Sequence, residues 1–494
     1  MKLNSSVVIP ILILGVLLAT QVHLEAHENS GFEVVNAFIE AQMDRHRILG
    51  LALGIIKGDE VVYLRGFGSA GERREVTPQT PFYIGSVSKS FTALAVVQLV
   101  EDGAIDLDAP VQDYIPWFQV ADEEISSQIT VRHLLNQTSG LSEAGFRGTR
   151  LSSDITLEDT VRSLHDAKPS ALPGRKYQYF NLNYNTLGLI VESVSGQPFG
   201  DYIREHIFTP LDMKHSFVSR EAAERSGLAQ GHNAVLGFPV ARREPFLQYD
   251  LPAGFIISSA EDMAHYLIAQ ENGGRFKAAR VLSAEGVEMM HRIPDGTDSP
   301  YAMGWEVHER EGVREVEHNG AVRTFYSNAT LLPEQDCGFV LLINQNSALH
   351  QLLAYEQIAD GVANLLTQRQ PPEGLAVSTL YWVITALILV DIGRRINSLR
   401  RLGQWEKRVQ EKSRKRVLTG LVLKLLFPLL IMVAAPTYLI TQAGLNATQV
   451  MLFNYLPDIT AWITFSALLT MVEGVLQVRI VFRSSLCQWL SLSR

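Results

Sequence analysis

The sequence predicts a mixed α/β (α+β) domain followed by membrane helices. Two observations predict the domain. β-rich runs sit near both ends of the 31–368 stretch, at 51–65 and 313–343, with helix and loop signals between them. Strands at both ends enclosing helices imply that the first and last strands share one sheet. A third observation predicts the membrane part: three long apolar segments follow residue 374.

Taken in order, residues 1–26 read as an export signal. Lys2 gives a weak positive start, 7–19 an apolar core of signal-peptide length, and Leu24-Glu25-Ala26 a small residue at a cleavage point. The core falls short of the ~20 residues a spanning helix needs, which favours cleavage over an uncleaved anchor. Residues 32–46 carry Phe32, Val35, Phe38, Ile39 and Met43 at helical spacing. The runs 51–56 and 61–65 flank Lys57-Gly58-Asp59-Glu60, a hairpin signal. A long apolar helix is expected to start at Ser86 and end near Gly103. Residues 106–250 read as a helical insertion into the sheet domain. β character returns at 313–317, 327–332 and 339–343, and a helix over 348–366 closes the unit. The stretch 368–374, with two prolines, is a linker.

The membrane domain, 375–482, is expected to hold three transmembrane helices at 375–390, 417–441 and 459–480. Between the first two, the loop 394–416 carries ten Lys or Arg residues against Glu406 and Glu411, whereas 444–458 carries no Lys or Arg. Positive charge stays on the cytoplasmic side, so the basic loop is cytoplasmic and the domain before residue 375 is extracytoplasmic. Lys424, near the cytoplasmic end of its span, is placed to snorkel. Glu473 reads as an interface-proximal or helix-pairing acid, with no second intramembrane charge as its partner. A formal net charge of −9 over 494 residues argues against a nucleic-acid partner. The two cysteines, Cys337 and Cys487, fall in different regions, and no disulfide is expected between them.

Three short motifs, in order, carry chemistry: Ser86-Val87-Ser88-Lys89, Tyr179-Phe180-Asn181 and His318-Asn319-Gly320. A serine hydroxyl needs a neighbouring group to take its proton, and Lys89, one helical turn on, is suited once its pKa is lowered by burial or another cation. Tyr179 can relay a proton if a cation lowers its pKa from about 10. Asn181 can hold Lys89 or donate to a substrate carbonyl. Gly320 lets a substrate backbone approach, and the Ala321 N–H can join that of Ser86 around an oxyanion. Read singly, each motif has a plainer reading: Ser86 as a helix N-cap, Tyr179 as a packing aromatic, His318 as a solvated or capped strand end. A second Tyr-x-Asn, at Tyr326-Ser327-Asn328, falls in a predicted strand where the tyrosine is expected to pack.

In their local contexts these motifs resemble the serine β-lactamase and penicillin-binding protein superfamily, in particular its class C-like branch with D-aminopeptidases and esterases. The resemblance covers about 31–366. It rests on Pro81 to Thr92 around the serine, on His133-Leu134-Leu135-Asn136-Gln137-Thr138-Ser139-Gly140-Leu141, on Tyr177 to Asn181, and on Ala253 to Asp262. Gln137 stands where many members carry His. The resemblance implies an antiparallel sheet flanked by helices with an all-helical subdomain and the site between them. It implies Ser86 as the acylated nucleophile, Lys89 and Tyr179 as proton handlers, and Ser86 with Ala321 as oxyanion donors. One departure bears on substrate. His318 replaces the Lys that many members use to attract a substrate carboxylate, and a mostly neutral histidine favours esters or amides without that group.

Other chemistries lack support: there is no Gly-x-Ser-x-Gly, no His-Glu-x-x-His and no Gly-rich phosphate loop. The expectation is a membrane-anchored extracytoplasmic serine hydrolase that needs no cofactor or metal. It would act on a small-molecule or peptide substrate, with a cell-wall-derived one among the candidates. An acylable sensor signalling through the spans is the alternative.

Overall fold

The computed structural model describes residues 32–146, 155–296, 299–372, 374–409, 415–426, 428, 430 and 457–492. The expected export signal at 1–26 lies outside them.

Helix α1 (Glu33–His46) leads into strands β1 (Gly50–Lys57), β2 (Glu60–Gly71) and β3 (Arg74–Glu75). The hairpin between β1 and β2 turns where expected, with Gly58 at φ 58° and its N–H bonded to the Asp336 carbonyl at 2.8 Å. Helix α2 (Ser88–Glu101) follows, then α3 (Asn181–Ser195) and α4 (Ala260–Glu271). Strands β4 (Glu306–Arg310), β5 (Val313–Ala321), β6 (Tyr326–Leu332) and β7 (Cys337–Ile343) complete the sheet, and α5 (Glu356–Leu366) closes the domain. The order across the seven-stranded sheet is β4-β5-β6-β7-β1-β2-β3. All its pairings are antiparallel, and β1 joins β7 from Leu51↔Ile343 to Lys57↔Cys337. First and last strands therefore meet at the centre of the sheet, as the sequence implies.

Both faces of the sheet are covered, which explains why β1 and β7 read as unbroken apolar runs rather than alternating ones. Leu51, Leu53 and Ile55 face one layer, with Val35 and Ile39 of α1 and Ile358 and Val362 of α5. Ala52 and Ile56 face the other, with Leu94 of α2 and Met263 and Leu267 of α4. Each fully buried Leu or Ile contributes about 1.5–3 kcal/mol, so the two layers anchor the sheet from both sides.

Four sequence expectations are corrected. Helix α2 begins at Ser88, not Ser86, because Gly85–Val87 forms a separate 3₁₀ turn. Strand β5 runs on to Ala321, so His318-Asn319-Gly320 lies within a strand rather than ending one. The edge strand β4 was not predicted. The 106–250 insertion, otherwise helical, also holds a hairpin, His232–Val235 with Phe238–Ala241, whose first strand pairs in parallel with Gln345–Asn346.

Among the described residues two helices, not three, are long and apolar enough to cross a membrane: α6 (Val377–Arg400) and α7 (Pro457–Leu492), the latter over Pro457–Phe482. The expected span at 417–441 is helical over 415–426, and its later part, with Pro436, lies outside the described residues. Glu473 is not unpartnered. It is buried and takes hydrogen bonds from Lys424, from Ser398 at 2.8 Å and from Gln477 at 2.9 Å. Asp391 likewise accepts from Arg395, Trp462 and Ser466. Both acids tie α6 to α7, the role of interhelical glue.

Candidate active site

The Gly85–Val87 turn is held from three sides. The Ile84 N–H bonds the Ile256 carbonyl at 3.0 Å, and the Ile84 carbonyl accepts from Ser327 Oγ of β6 at 2.6 Å. Ser88 Oγ, fully buried, donates to the Gly85 carbonyl at 2.7 Å and accepts from the Ile256 N–H at 3.1 Å. Strand β5 closes the third side. A Cβ on Gly320 would lie 2.0 Å from the Ile84 carbonyl, and one on Gly85 would lie 2.4 Å from the Ala321 nitrogen. Gly320 is thus required by the Ile84 backbone, not by an approaching substrate.

This packing sets Ser86 at the first turn of a helical segment, where its N–H has no intrahelical partner. The Val322 N–H bonds the Phe325 carbonyl at 3.1 Å, and Ala321 is paired with Tyr326 one step further along. Antiparallel alternation then points the Ala321 N–H away from β6, toward Gly85 and Ser86. Two donors converge where an oxyanion would form next to Ser86 Oγ.

Lys89 is fully buried on α2. Its Nζ donates to Ser86 Oγ at 3.0 Å and to the Ala253 carbonyl at 2.5 Å. Burial pulls its pKa down to about 7, against the opposing pull of Asp250 and Glu143. The Nζ also lies 5.0 Å from the centre of the Tyr179 ring. A hydrogen bond links the Tyr179 hydroxyl to Ser86, yet burial holds that phenol well above its ordinary value. Tyr179 is therefore a protonated phenol near neutral pH, which corrects the expectation of a cation-lowered pKa.

Tyr179 reaches this position through a loop the sequence singled out only by resemblance. Gln137, at φ 57° and buried, accepts at Oε1 from the Phe180 N–H at 3.1 Å and from Asn183 Nδ2 at 2.6 Å. Its carbonyl accepts from the Gln178 N–H at 2.8 Å. One residue, through its side chain and its carbonyl, thus fixes residues 178–183.

The cleft beside Ser86 has a volume of ≈ 220 Å³, and Ser86, Asn181 and Ala321 all line it. Among the described residues, Asn181 Oδ1 is buried without a hydrogen-bond partner and so does not engage Lys89. Lys89, Tyr179, His318 and Gly320 are not among the lining residues. His318 is buried and turned to a tyrosine cluster that sequence reasoning missed. Its Nδ1 donates to the Asn319 carbonyl at 2.5 Å, which leaves Nε2 to accept from Tyr301 at 3.0 Å. Burial lowers the His318 pKa to about 4, with Lys89 adding to that and Glu306 opposing it, so the ring is neutral at pH 7. Tyr301 packs against Tyr177 and Tyr179 with ring centres 5.9 and 5.8 Å away. It lies in an irregular stretch with no periodicity, so only its ring chemistry could have flagged it. No group of His, Cys, Asp and Glu able to hold a metal occurs among the described residues.

Comparison with known proteins agrees with this fold. The beta-lactamase family model matches residues 35–362. Protein flp of Staphylococcus aureus strain MW2 is 28% identical over 323 residues, covering 65% of this chain and 64% of that protein. The chain thus spans a little under two thirds of the length of these relatives. Penicillin-binding protein 4 of Amycolatopsis lactamdurans is 30% identical over 320 residues, 62% of this chain and 83% of that one. Among solved structures, the octameric penicillin-binding protein homologue from Pyrococcus abyssi superimposes with a TM-score of 0.59 at 30% identity, covering 69% of this chain and 78% of that chain. With the family model matched over 35–362, about two thirds of its length, the chain belongs to the beta-lactamase family.

Proposed function

We propose that this protein is a membrane-anchored, extracytoplasmic serine hydrolase that works through an acyl-enzyme on Ser86. The 3.0 Å contact between Ser86 Oγ and a buried Lys89 with a pKa near 7 carries the reading. Neutral Lys89 takes the Ser86 proton as Oγ attacks an amide, ester or β-lactam carbonyl. The Ser86 and Ala321 N–H groups bind the resulting oxyanion. The Tyr179 phenol, hydrogen-bonded to Ser86, passes a proton to the leaving group and recovers one by way of Lys89. Water then releases the acyl group. Asn181 offers its amide to the acyl side of the substrate.

The anchoring part of the reading rests on the basic loop and on where the helices begin. The start of α6 touches α1, with the Val377 N–H bonded to His46 at 3.2 Å and Ser378 Oγ to the Arg45 carbonyl at 2.7 Å. The start of α7 touches the 232–241 hairpin through Asp458 and the Leu236 N–H at 2.9 Å. Both helices begin beside the catalytic domain, and Arg394, Arg395 and Arg400 fall in the last turns of α6, remote from those contacts, which supports a cytoplasmic basic segment.

The test is intact mass spectrometry of the full chain in detergent, wild type and Ser86→Ala, with a penicillin and an activated ester. An adduct or turnover in wild type only is expected. Equal modification of Ser86→Ala would refute the role of Ser86.

A further inference from the structure

We propose that Arg323, in the turn between β5 and β6, is the cation that binds a carboxylate on the substrate. The inference rests on the acyl-enzyme reading above and names the substrate chemistry of that site.

His318 is neutral and faces Tyr301, so the strand position itself offers no fixed positive charge. Arg323 lies two residues beyond Ala321 and lines the same cleft as Ser86. Arg242 is close enough for the two like charges to be felt, and Arg220 and Arg243 pair with Glu224 at 2.6 and 3.5 Å. Arg323 makes no ion pair among the described residues. The nearby acid, Glu244, accepts at Oε2 from the Thr324 N–H at 2.8 Å and from Thr324 Oγ1 at 2.7 Å, and it also accepts the Arg323 backbone N–H and feels the Arg323 charge without forming an ion pair with it.

The turn that carries this arginine is clamped by buried polar side chains. Besides Glu244, Asn233 Nδ2 donates to the Arg323 carbonyl at 2.7 Å and Asn346 Nδ2 to the Val322 carbonyl at 2.5 Å. Glu244, Asn233 and Asn346 are 4%, 2% and 0% exposed. Burying polar groups to fix the backbone of a cleft-edge turn is costly unless that backbone must be held still. Here it holds the oxyanion donor Ala321 and the Arg323 cation in one fixed relation. A guanidinium beside the oxyanion site suits a carboxylate on the part of the substrate that lies along β5.

The test uses a depsipeptide whose leaving group is a 2-hydroxy acid with a free carboxylate, and its twin in which that carboxylate is an amide. Wild type should favour the acid in kcat/KM, and Arg323→Gln should lower kcat/KM for the acid by roughly 10- to 100-fold while leaving the amide within about twofold. Arg323→Lys should recover part of the loss. The selectivity for the acid should shrink as salt rises. Equal kcat/KM for acid and amide in wild type, or an equal fall for both in Arg323→Gln, overturns the inference and leaves the hydrolase reading in place. Failure of wild type to cleave either twin or to be acylated at Ser86 overturns the hydrolase reading itself, and this inference with it.

Discussion

At the scale of the residue, the site depends on keeping Lys89 uncharged in a place where a charge is expensive. A Lys pKa moved from 10.5 to about 7 means the folded state binds fewer protons than the unfolded chain between those values. Folding stability therefore rises with pH across that window, and below it the full cost of burying the ammonium is felt. Lys89→Met should abolish turnover and raise Tm by a few degrees at pH 7 or below, a gain that fades toward pH 10. Thermal melts at several pH values check this. In wild type, Ser86 acylation should fall about tenfold per pH unit below 7 and level off above it, as base catalysis by neutral lysine requires. Stopped-flow acylation across pH 5–9 reads the profile, and a flat profile would exclude Lys89 as the base. Ser86 and Lys89 were legible because a serine and a lysine one turn apart meet on one helix face. The state of Tyr179 was not legible. It depends on burial by Tyr301 and Tyr177, which come from other parts of the chain.

At the scale of the element, loops and strand ends place the groups that α2 does not. Gln137 ties the 178–183 segment by three hydrogen bonds, two to its side chain and one to its carbonyl. Gln137→Ala removes the two side-chain bonds and leaves the buried Phe180 N–H unpaired, at a cost of about 1–3 kcal/mol. We expect kcat to fall by at least tenfold with a smaller change in KM, because Tyr179 moves while the cleft walls stay. Gln137→Glu, which keeps the acceptor, should retain more kcat than Gln137→Ala. Steady-state kinetics with Tm measured alongside decides the matter. The sequence marked this segment through its likeness to relatives, and no local pattern says that a glutamine there reaches Phe180. The length of β5 was hidden for a related reason: His318, Asn319 and Gly320 are weak strand formers, held in the ladder by β6.

At the scale of the whole molecule, the layered domain was readable because apolar runs at 51–56 and 339–343 leave no polar face, and such strands must be buried on both sides. The central pairing of β1 with β7 followed from their positions at opposite ends of the domain. The contacts that join the domain to the two long apolar helices were not readable. Val377 with His46 and Asp458 with Leu236 each link segments far apart in sequence, and no periodicity records them. Within the helices, the bond between Lys424 and Glu473 turns two apparently isolated charges into one interhelical tie. The Val377 and Asp458 links tie the domain to the starts of α6 and α7. The most direct measurement is labelling of intact cells expressing the full chain with a membrane-impermeant, sulfonated fluorophosphonate. Wild type should be labelled without lysis, on Ser86 in the mapped peptide, and Ser86→Ala should not be labelled. Labelling that requires lysis would contradict the orientation, and equal labelling of Ser86→Ala would contradict the nucleophile.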